Sequence, residues 1–285
     1  MSIKIVSDSS SNVYTLEGAN YSTVPMKVIA GDREFVDTPD VNVADMVAFL
    51  RDYKGKSGSS CPNVQEWMDA FAGEDDVFAL TISGGLSGSY NSACQAAELF
   101  MAENPGRKAF VIDTRSAGPQ QILIAEKLRS LIHAGLDFDS IREQAIDYCN
   151  NTHILFCLES MLNLARNGRV SAAAATIAGL LGIRGVGDVR DGQITTVAKS
   201  RGARKATQTL VSMIKERGFT DKSTLRIAHC FGEEQANALI DAVKAEFPNT
   251  RAIVEPTGAL CSFYAEQGGL MIGFEGGFNG NNCHK

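Results

Sequence analysis

The sequence lacks the features that mark an integral membrane protein or a nucleic-acid-binding protein. Its apolar, uncharged stretch Val170–Ile183 lies between Arg169 and Arg184. That stretch is shorter than the ~20 apolar residues that a bilayer-spanning helix needs, and its alanines and glycines suit a tightly packed helix instead. Acidic residues outnumber basic ones by 33 to 27, for a formal net charge of −6 at pH 7. No basic stripe is available to displace counterions from nucleic acid, so we expect neither an integral membrane segment nor a nucleic-acid partner.

Patterns that hold metals or nucleotide cofactors are also missing. The seven cysteines include no C-x-x-C pair, and the histidines, at positions 133, 153, 229 and 284, show no ligand spacing. The segment Ser7–Ser11, after the first predicted strand, has none of the glycines that Rossmann and Walker loops need. We therefore expect no metal site and no cofactor.

The pattern of the first residues predicts a strand rather than a targeting signal. Ile3–Ser7 is a short apolar run that ends at Asp8. Lys4 and Asp8 stand where a signal peptide needs an uninterrupted apolar core. We therefore expect a cytoplasmic protein.

A chain of 285 residues is longer than one hydrophobic core comfortably serves, so we expect two domains. Residues 1–155 alternate strands with helices, which predicts a parallel-sheet α/β domain. Residues 156–285 mix hairpins with helices, which predicts an α+β domain. Ligands of parallel sheets bind beyond the carboxyl ends of the strands, where Asp8, Ser83 and Asp113 fall.

Two segments rich in glycine and serine are candidate binding loops. Gly84–Ser89 joins a buried strand to a helix, and Ser87 stands where an N-cap belongs. Glycine lets the backbone approach a ligand closely, and helix-end N–H groups attract anions. The second segment, Ser57–Asn63, belongs to the predicted loop Lys54–Asn63. Each segment is also typical of an ordinary capped helix or flexible loop, but together they indicate a hydroxyl cluster suited to a carboxylate.

A second hypothesis is that Ser87 is the nucleophile of a hydrolase. The window Gly85–Ser89 approaches the G-x-S-x-G pattern, although its last residue is serine. A hydrolase of that type also needs an acid followed by a histidine. His229 lies in the interior of a predicted strand, where a packed core histidine is the more frequent outcome.

Arg166 and Arg169 flank the turn Asn167-Gly168. Cations at a helix end are ordinarily solvated and favoured by the helix dipole. Guanidinium groups also bind oxyanions in a bidentate manner. The turn is therefore either a plain helix end or a docking point for a phosphate or a protein partner.

Taken in order along the chain, these segments resemble motifs of the DegV family of fatty-acid-binding proteins. The family's Asp-Ser-Thr after the first strand corresponds to Asp8–Ser10, its Thr-Ser-Gln-Pro-Ser loop to Ser59–Asn63, and its Leu-Ser-Gly-Thr-Tyr to Leu86–Tyr90. Its Gly-Gly-Arg-Ile, Leu-x-Ile-Lys-Pro and Lys-x-Arg segments correspond to 167–170, 181–185 and 199–201. Each motif is weak alone, but six in order span nearly the whole chain.

The resemblance implies a long-chain, palmitate-like fatty acid held in a tunnel between the two domains. It implies that Ser59 and Ser87 bind the carboxylate. Tyr264 stands where the family has a histidine, and a phenol can donate a hydrogen bond but cannot gain charge. The expected ligand-binding residues are Ser59, Ser60, Ser87, Gly88 and Tyr264.

The resemblance also implies a carrier rather than an enzyme. Family members of the carrier type present the acid to a separate fatty acid kinase, which makes an acyl phosphate. Arg169 would then lie near the carboxylate exit and meet that kinase. Two alternatives stay open: a serine hydrolase or acyl transferase that uses Ser87, and a regulatory module that responds to a bound lipid.

Overall fold

The computed structural model describes residues 2–73, 75–171 and 182–278. Most of the Ala-rich helix predicted over 170–183 lies outside these ranges. Within them, no helix is both long enough and apolar enough to cross a membrane.

The first part of the chain forms the predicted parallel sheet. Its strands are β1 (Ile3–Asp8), β2 (Tyr21–Val24), β6 (Asp76–Thr81) and β7 (Ala109–Asp113), in the order β2-β1-β6-β7. The central strands β1 and β6 are almost entirely buried, as expected of a sheet that is covered on both faces. The covering helices are α2 (Val64–Phe71), α3 (Ser89–Glu103), α4 (Pro119–His133) and α5 (Phe138–Asn150).

A small antiparallel sheet accompanies it. The strands β3 (Lys27–Ala30), β4 (Arg33–Val36) and β5 (Ser57–Ser60) lie in the order β4-β3-β5, beside helix α1 (Val43–Asp52). Strand β5 falls in the segment Lys54–Asn63, which was predicted to be a loop. Its sequence, Ser-Gly-Ser-Ser, has little intrinsic strand preference, so pairing with β3 supplies the order that propensity does not.

The second part of the chain is a six-stranded mixed sheet in the order β10-β9-β8-β13-β11-β12. Strands β11 and β12 are parallel, and the other neighbours are antiparallel. The strands are β8 (Thr152–Leu158), β9 (Ile183–Arg190), β10 (Gln193–Arg201), β11 (Thr224–His229), β12 (Arg251–Pro256) and β13 (Leu270–Glu275). The helices are α6 (Leu162–Arg166), α7 (Ala203–Glu216), α8 (Glu233–Glu246) and α9 (Ala259–Ala265).

The predicted fold class, a parallel α/β region followed by a mixed-sheet region, is confirmed. The division into domains 1–155 and 156–285 stays a prediction, and β8 lies across its boundary. Helix α4 contacts both large sheets. From this helix, Gln121 Nε2 donates to Leu80 O in β6, and Glu126 pairs with Arg226 in β11. Helix α4 therefore packs between the two sheets, and the site lies where the loops of the parallel sheet meet the mixed sheet.

Candidate ligand-binding site

An apolar cavity of about 350 Å³ lies between the loops of the parallel sheet and the face of the mixed sheet. Its size is within the roughly 300–1,000 Å³ of small-molecule sites. The apolar wall comes from the loops after β6 and β7, from β8, β9, β10 and β13, and from α6 and α9. The apolar lining residues include Met26, Ile82, Leu86, Ala117, Ile154, Phe156, Leu158, Leu164, Val189, Ile194, Leu260, Ala265 and Met271.

All the predicted ligand-binding residues line this one cavity. They are Ser59, Ser60, Ser87, Gly88 and Tyr264. Ser59 Oγ and Tyr264 Oη are 2.7 Å apart and share a hydrogen bond, although the two residues are 205 positions apart in sequence. We call the hydroxyls of Ser59, Ser87 and Tyr264 the hydroxyl rim.

Two loops meet at this rim. Ser59 reaches it because β5 pairs with β3, in the register that sets Ser59 opposite Val28. Ser87 reaches it on the turn between β6 and α3. The turns are in contact, because a Cβ placed on Gly88 would lie 3.3 Å from Cys61 Sγ. A glycine at position 88 therefore permits the close approach of the two loops.

The N-cap of α3 is Gly88 rather than Ser87, one residue later than predicted. Ser87 still serves the helix end, because its Oγ accepts a hydrogen bond of 3.2 Å from Ser89 N. Its hydroxyl hydrogen remains available to donate. The positive end of the α3 dipole thus lies at the hydroxyl rim, where it favours an anion.

Arg169 also lines the cavity and is partly buried. Its Nε donates to Leu86 O at 3.1 Å, and its Nη1 donates to Asn167 O. The guanidinium therefore ties the turn after α6 to the loop that carries Ser87. Its role as a docking residue stays a prediction.

Asp8, at the carboxyl end of β1, is a fully buried carboxyl group that organises the loops around the cavity. Its Oδ2 accepts from Ile82 N at 2.9 Å and from Ser89 Oγ at 2.7 Å. Its Oδ1 accepts from Ser10 Oγ and Gln121 Nε2. Burial raises the pKa of Asp8, and these hydrogen bonds oppose that shift. One side chain thereby links β1, the start of α3 and α4.

Asp37 is a second buried carboxyl group, and it holds the helix that carries Tyr264. Its Oδ1 accepts from Ala259 N at 2.6 Å, and its Oδ2 accepts from Leu260 N at 3.3 Å, so it caps α9 from a distant loop. Ser9 Oγ and Tyr14 Oη donate to the same carboxylate, each at 2.8 Å. Burial raises the pKa of Asp37 against these bonds. Asp37 was not among the predicted site residues, because no local motif in the sequence marks it.

The hairpin between β9 and β10 is joined to the loop after β6. Ser83 Oγ donates to Gly192 O at 2.8 Å, and Gln193 Nε2 donates to Gly85 O at 2.9 Å. Asp113 Oδ1 accepts from Gly84 N at 3.1 Å. The strand-end residues Ser83 and Asp113 therefore hold the binding loop in place, and they do so from outside the cavity lining.

The side chains that line the cavity determine which class of ligand it suits. Among the described residues, no group of three or more histidine, cysteine, aspartate or glutamate side chains is placed to hold a metal ion. Of the described residues that line the cavity, none is a histidine or a carboxylate. An apolar pocket with hydroxyl donors and one guanidinium at its rim suits an amphiphile with an anionic head.

The sequence is similar to proteins of one family over almost its whole length. A sequence model of the DegV family matches residues 2–275. A DegV domain-containing protein of Streptococcus gordonii is 36% identical over 280 residues, which cover 96% of this chain and 99% of that protein.

Two similar solved structures carry fatty acids. A DegV family protein from Eubacterium eligens, loaded with heptadecanoic acid, has a TM-score of 0.94 and 34% identity over 96% of this chain and 100% of its own. The Streptococcus pneumoniae Fatty Acid Kinase (Fak) B3 protein, loaded with linoleic acid, has a TM-score of 0.93 and 34% identity over 96% of this chain and 99% of its own.

Proposed function

This chain belongs to the DegV family, and from that premise we propose that it binds a long-chain fatty acid in the apolar cavity. The carboxylate lies at the hydroxyl rim, and the acyl chain fills the space between the two sheets. The observation that carries the proposal is that one cavity combines an apolar wall with the hydroxyl-bearing residues Ser59, Ser87 and Tyr264. Relatives of the same fold are loaded with heptadecanoic and linoleic acid.

The acyl chain supplies the affinity. Burial of about 14 methylenes at ~0.8 kcal/mol each contributes on the order of 11 kcal/mol before costs. Association and ordering of the chain remove a large part of this. The remainder is enough for tight binding without a strong ion pair, so the rim serves mainly to orient the head group.

Ser87 is assigned as a carboxylate ligand because its hydroxyl lines the cavity at the N-terminus of α3. Ser59, Ser60, Gly88 and Tyr264 complete the head-group site. Arg169 lies on the same wall, where its charge attracts the carboxylate through a medium less polar than water.

Mass spectrometry tests the binding proposal. Protein purified from cells and then denatured is expected to release a long-chain fatty acid, and native spectra are expected to show the same mass as a bound adduct. Protein that carries no acid from any growth condition, and that takes up none after delipidation, would refute the proposal.

The head-group assignment has its own test. Ser87→Ala is expected to weaken binding by about 1–3 kcal/mol, as for a hydrogen bond to a charged group. Ser92→Ala, on the same helix but outside the cavity lining, is the matched control. Equal dissociation constants for wild type and Ser87→Ala would show that Ser87 does not bind the carboxylate.

We propose further that the protein is a carrier, which presents the carboxylate to a separate fatty acid kinase. Arg169 stands beside Leu86 at the rim, where a partner that reaches for the carboxylate would meet it. Formation of acyl phosphate by the kinase is expected to require this protein. Arg169→Ala is expected to lower the rate of acyl phosphate formation more than it lowers the affinity for the acid. An unchanged rate would show that Arg169 does not dock the kinase.

The alternatives predict different results. A serine hydrolase would label covalently with a fluorophosphonate at Ser87, whereas a carrier would not. The absence of a histidine among the described lining residues supports the carrier. A regulatory module would bind its protein partner only in the lipid-loaded or only in the lipid-free state. The cytoplasmic location stays a prediction, which cell fractionation can test.

A further inference from the structure

Helix α6 and the turn after it contain two asparagines that the proposed function does not use. Asn163 and Asn167 are four positions apart, so their side chains lie on the same side of this short helix. Asn167 Nδ2 donates to Asn163 O at 2.9 Å, which joins the two residues into one unit. We call the segment Asn163–Arg169 the bracket, because it contacts each of the three segments that carry the hydroxyl rim.

The bracket holds the peptide group that precedes Tyr264. The last carbonyl groups of a helix have no hydrogen-bond partner within that helix. Asn163 Nδ2 supplies such a partner at the end of α9, where it donates to Phe263 O at 2.8 Å. The backbone N–H of Asn163 donates to Glu266 Oε1 at 3.1 Å, just beyond the same helix. Because Phe263 O belongs to the peptide group that joins Phe263 to Tyr264, Asn163 fixes the backbone from which the phenol extends.

The bracket also holds the peptide group that precedes Ser87. Arg169 Nε donates to Leu86 O at 3.1 Å, and this oxygen belongs to the peptide group that joins Leu86 to Ser87. Arg169 Nη1 donates to Asn167 O, so the guanidinium is itself anchored to the bracket. The backbone N–H of Asn167 donates in turn to Asn163 O at 3.1 Å. The position of Ser87 therefore depends on the same two asparagines.

The bracket reaches the third hydroxyl through Gly58, which precedes Ser59 on β5. A Cβ placed on Gly58 would lie 2.9 Å from Asn167 Oδ1. The lack of a side chain at this position lets Asn167 pack directly against the backbone of β5. The residue before each hydroxyl-bearing residue of the rim therefore contacts the bracket, although the three hydroxyls come from three separate parts of the chain.

We propose that Asn163 and Asn167 are positioning residues, which hold the three hydroxyls of the rim in the arrangement that a fatty acid carboxylate requires. This inference rests on the proposed function. Neither asparagine lines the cavity, so both act through the backbone of the residues that do. If the acid had to order three independent segments as it bound, that ordering would take free energy from binding. The bracket orders them in advance.

The test separates binding of the head group from binding of the acyl chain. Delipidated protein is titrated with palmitate and with hexadecanol, which has the same chain length but no carboxylate. Asn163→Leu removes the donor to Phe263 O and keeps a side chain of similar size. Asn167→Ala removes the donor to Asn163 O and the contact with Gly58. The matched control is Asn104→Ala, at the opposite end of α3 from the rim, where another asparagine side chain donates to a backbone oxygen at 2.8 Å.

We expect each bracket variant to bind palmitate about 3- to 10-fold more weakly than wild type, because hydrogen bonds to a charged acceptor are lost when their donors are misplaced. The affinity for hexadecanol should change by less than about twofold, because its neutral head group gains less from the rim. Asn163→Leu should weaken palmitate binding less in a Tyr264→Phe protein than in wild type, since the hydroxyl that Asn163 positions is then absent. Asn104→Ala should leave both affinities unchanged.

A merely structural role of the asparagines would lower the affinities for palmitate and hexadecanol by the same factor, and that result would refute the proposal. Unchanged palmitate binding in both bracket variants, or an equal loss in Asn104→Ala, would refute it as well. If Asn163→Leu does not fold, the ratio of the two affinities in Asn167→Ala decides. Failure of wild type to bind any long-chain acid would instead refute the proposed function itself.

Discussion

The capping of α9 by Asp37 is the contact on which the position of Tyr264 depends, and it leads to a quantitative prediction. The carboxylate is completely buried and receives four hydrogen bonds, from Ala259 N, Leu260 N, Ser9 Oγ and Tyr14 Oη. Asp37→Ala removes both acceptor oxygens and leaves all four donors without their acceptor. Asp37→Asn keeps one oxygen but turns the other position into a donor that faces existing donors.

The cost of Asp37→Ala follows from these bonds. Loss of a helix N-cap costs about 0.5–2 kcal/mol, and each buried donor left without an acceptor costs about 1–3 kcal/mol. Such terms do not add fully, because a smaller side chain admits water. Burial raises the pKa of Asp37, so the native protein already bears part of the cost of burying the charge. We therefore expect Asp37→Ala to lower the free energy of unfolding by about 3–5 kcal/mol, and Asp37→Asn by about 1–3 kcal/mol.

Urea denaturation of delipidated protein at neutral pH measures this change. The matched control is Asp40→Ala, at an exposed position three residues further along the chain. The same proteins can be titrated with a fatty acid, and we expect Asp37→Asn to weaken binding because α9 carries Tyr264. A loss of less than about 1 kcal/mol for Asp37→Ala would show that α9 is held by other contacts and would refute the argument.

Three further changes test other parts of the structure. Tyr264→Phe removes the hydrogen bond to Ser59 and should weaken fatty acid binding by about 2- to 10-fold, measured by titration. Gly187→Ala should lower the free energy of unfolding by about 1–3 kcal/mol or more, because the added methyl collides with the backbone oxygen of Thr195 on β10 and with the Phe156 ring. Burial lowers the pKa of His153 to about 4, so the folded state binds its proton less readily than the unfolded state, whose pKa is about 6.5. Wild type should therefore lose about 2–3 kcal/mol through this residue between about pH 6.5 and pH 4, a loss that His153→Gln should abolish.

Each of these tests has a contrary outcome. If Tyr264→Phe leaves the dissociation constant unchanged, the phenol is not part of the head-group site. His133→Gln, at an exposed histidine, is the control for the pH series, and equal acid sensitivity of His153→Gln and wild type would contradict the assigned role of burial. Wild-type stability of Gly187→Ala would show that β10 and the Phe156 ring both move aside at no cost in stability.

Local patterns in the sequence predicted much of the fold. The alternation of strands and helices in residues 1–155 predicted the parallel sheet, and the mixture of hairpins and helices that follows predicted the mixed sheet. Helix α5 was not predicted, although its signal is present: Asp137 is an N-cap, and the buried positions of Phe138–Asn150 have helical spacing. Helix α9 is different, since it is short and its cap, Asp37, lies 222 positions away from Ala259.

The candidate site also has one part that the sequence predicted and another that it did not. Glycine and serine clustered beside predicted strands stand out in the sequence itself, so both binding loops could be predicted. The apolar wall could not, because Ile154, Phe156 and Val189 look like any core residue until the sheets are placed face to face. Asp8 was recognisable as a strand-end residue, but three of its four hydrogen bonds come from segments far away in the chain, and only the bond from Ser10 is local.

The sequence by itself determined the class of fold, the family and the hydroxyl-bearing loops, because strand and helix periodicity, turn chemistry and short motifs are local properties of the chain. Only the tertiary structure decided that Ser59, Ser87 and Tyr264 line one cavity, that Asp37 caps α9, and that Ile154 and Val189 belong to the apolar wall. A cavity is the space left between packed surfaces, and the residues around it share no position in sequence, so no local pattern specifies it.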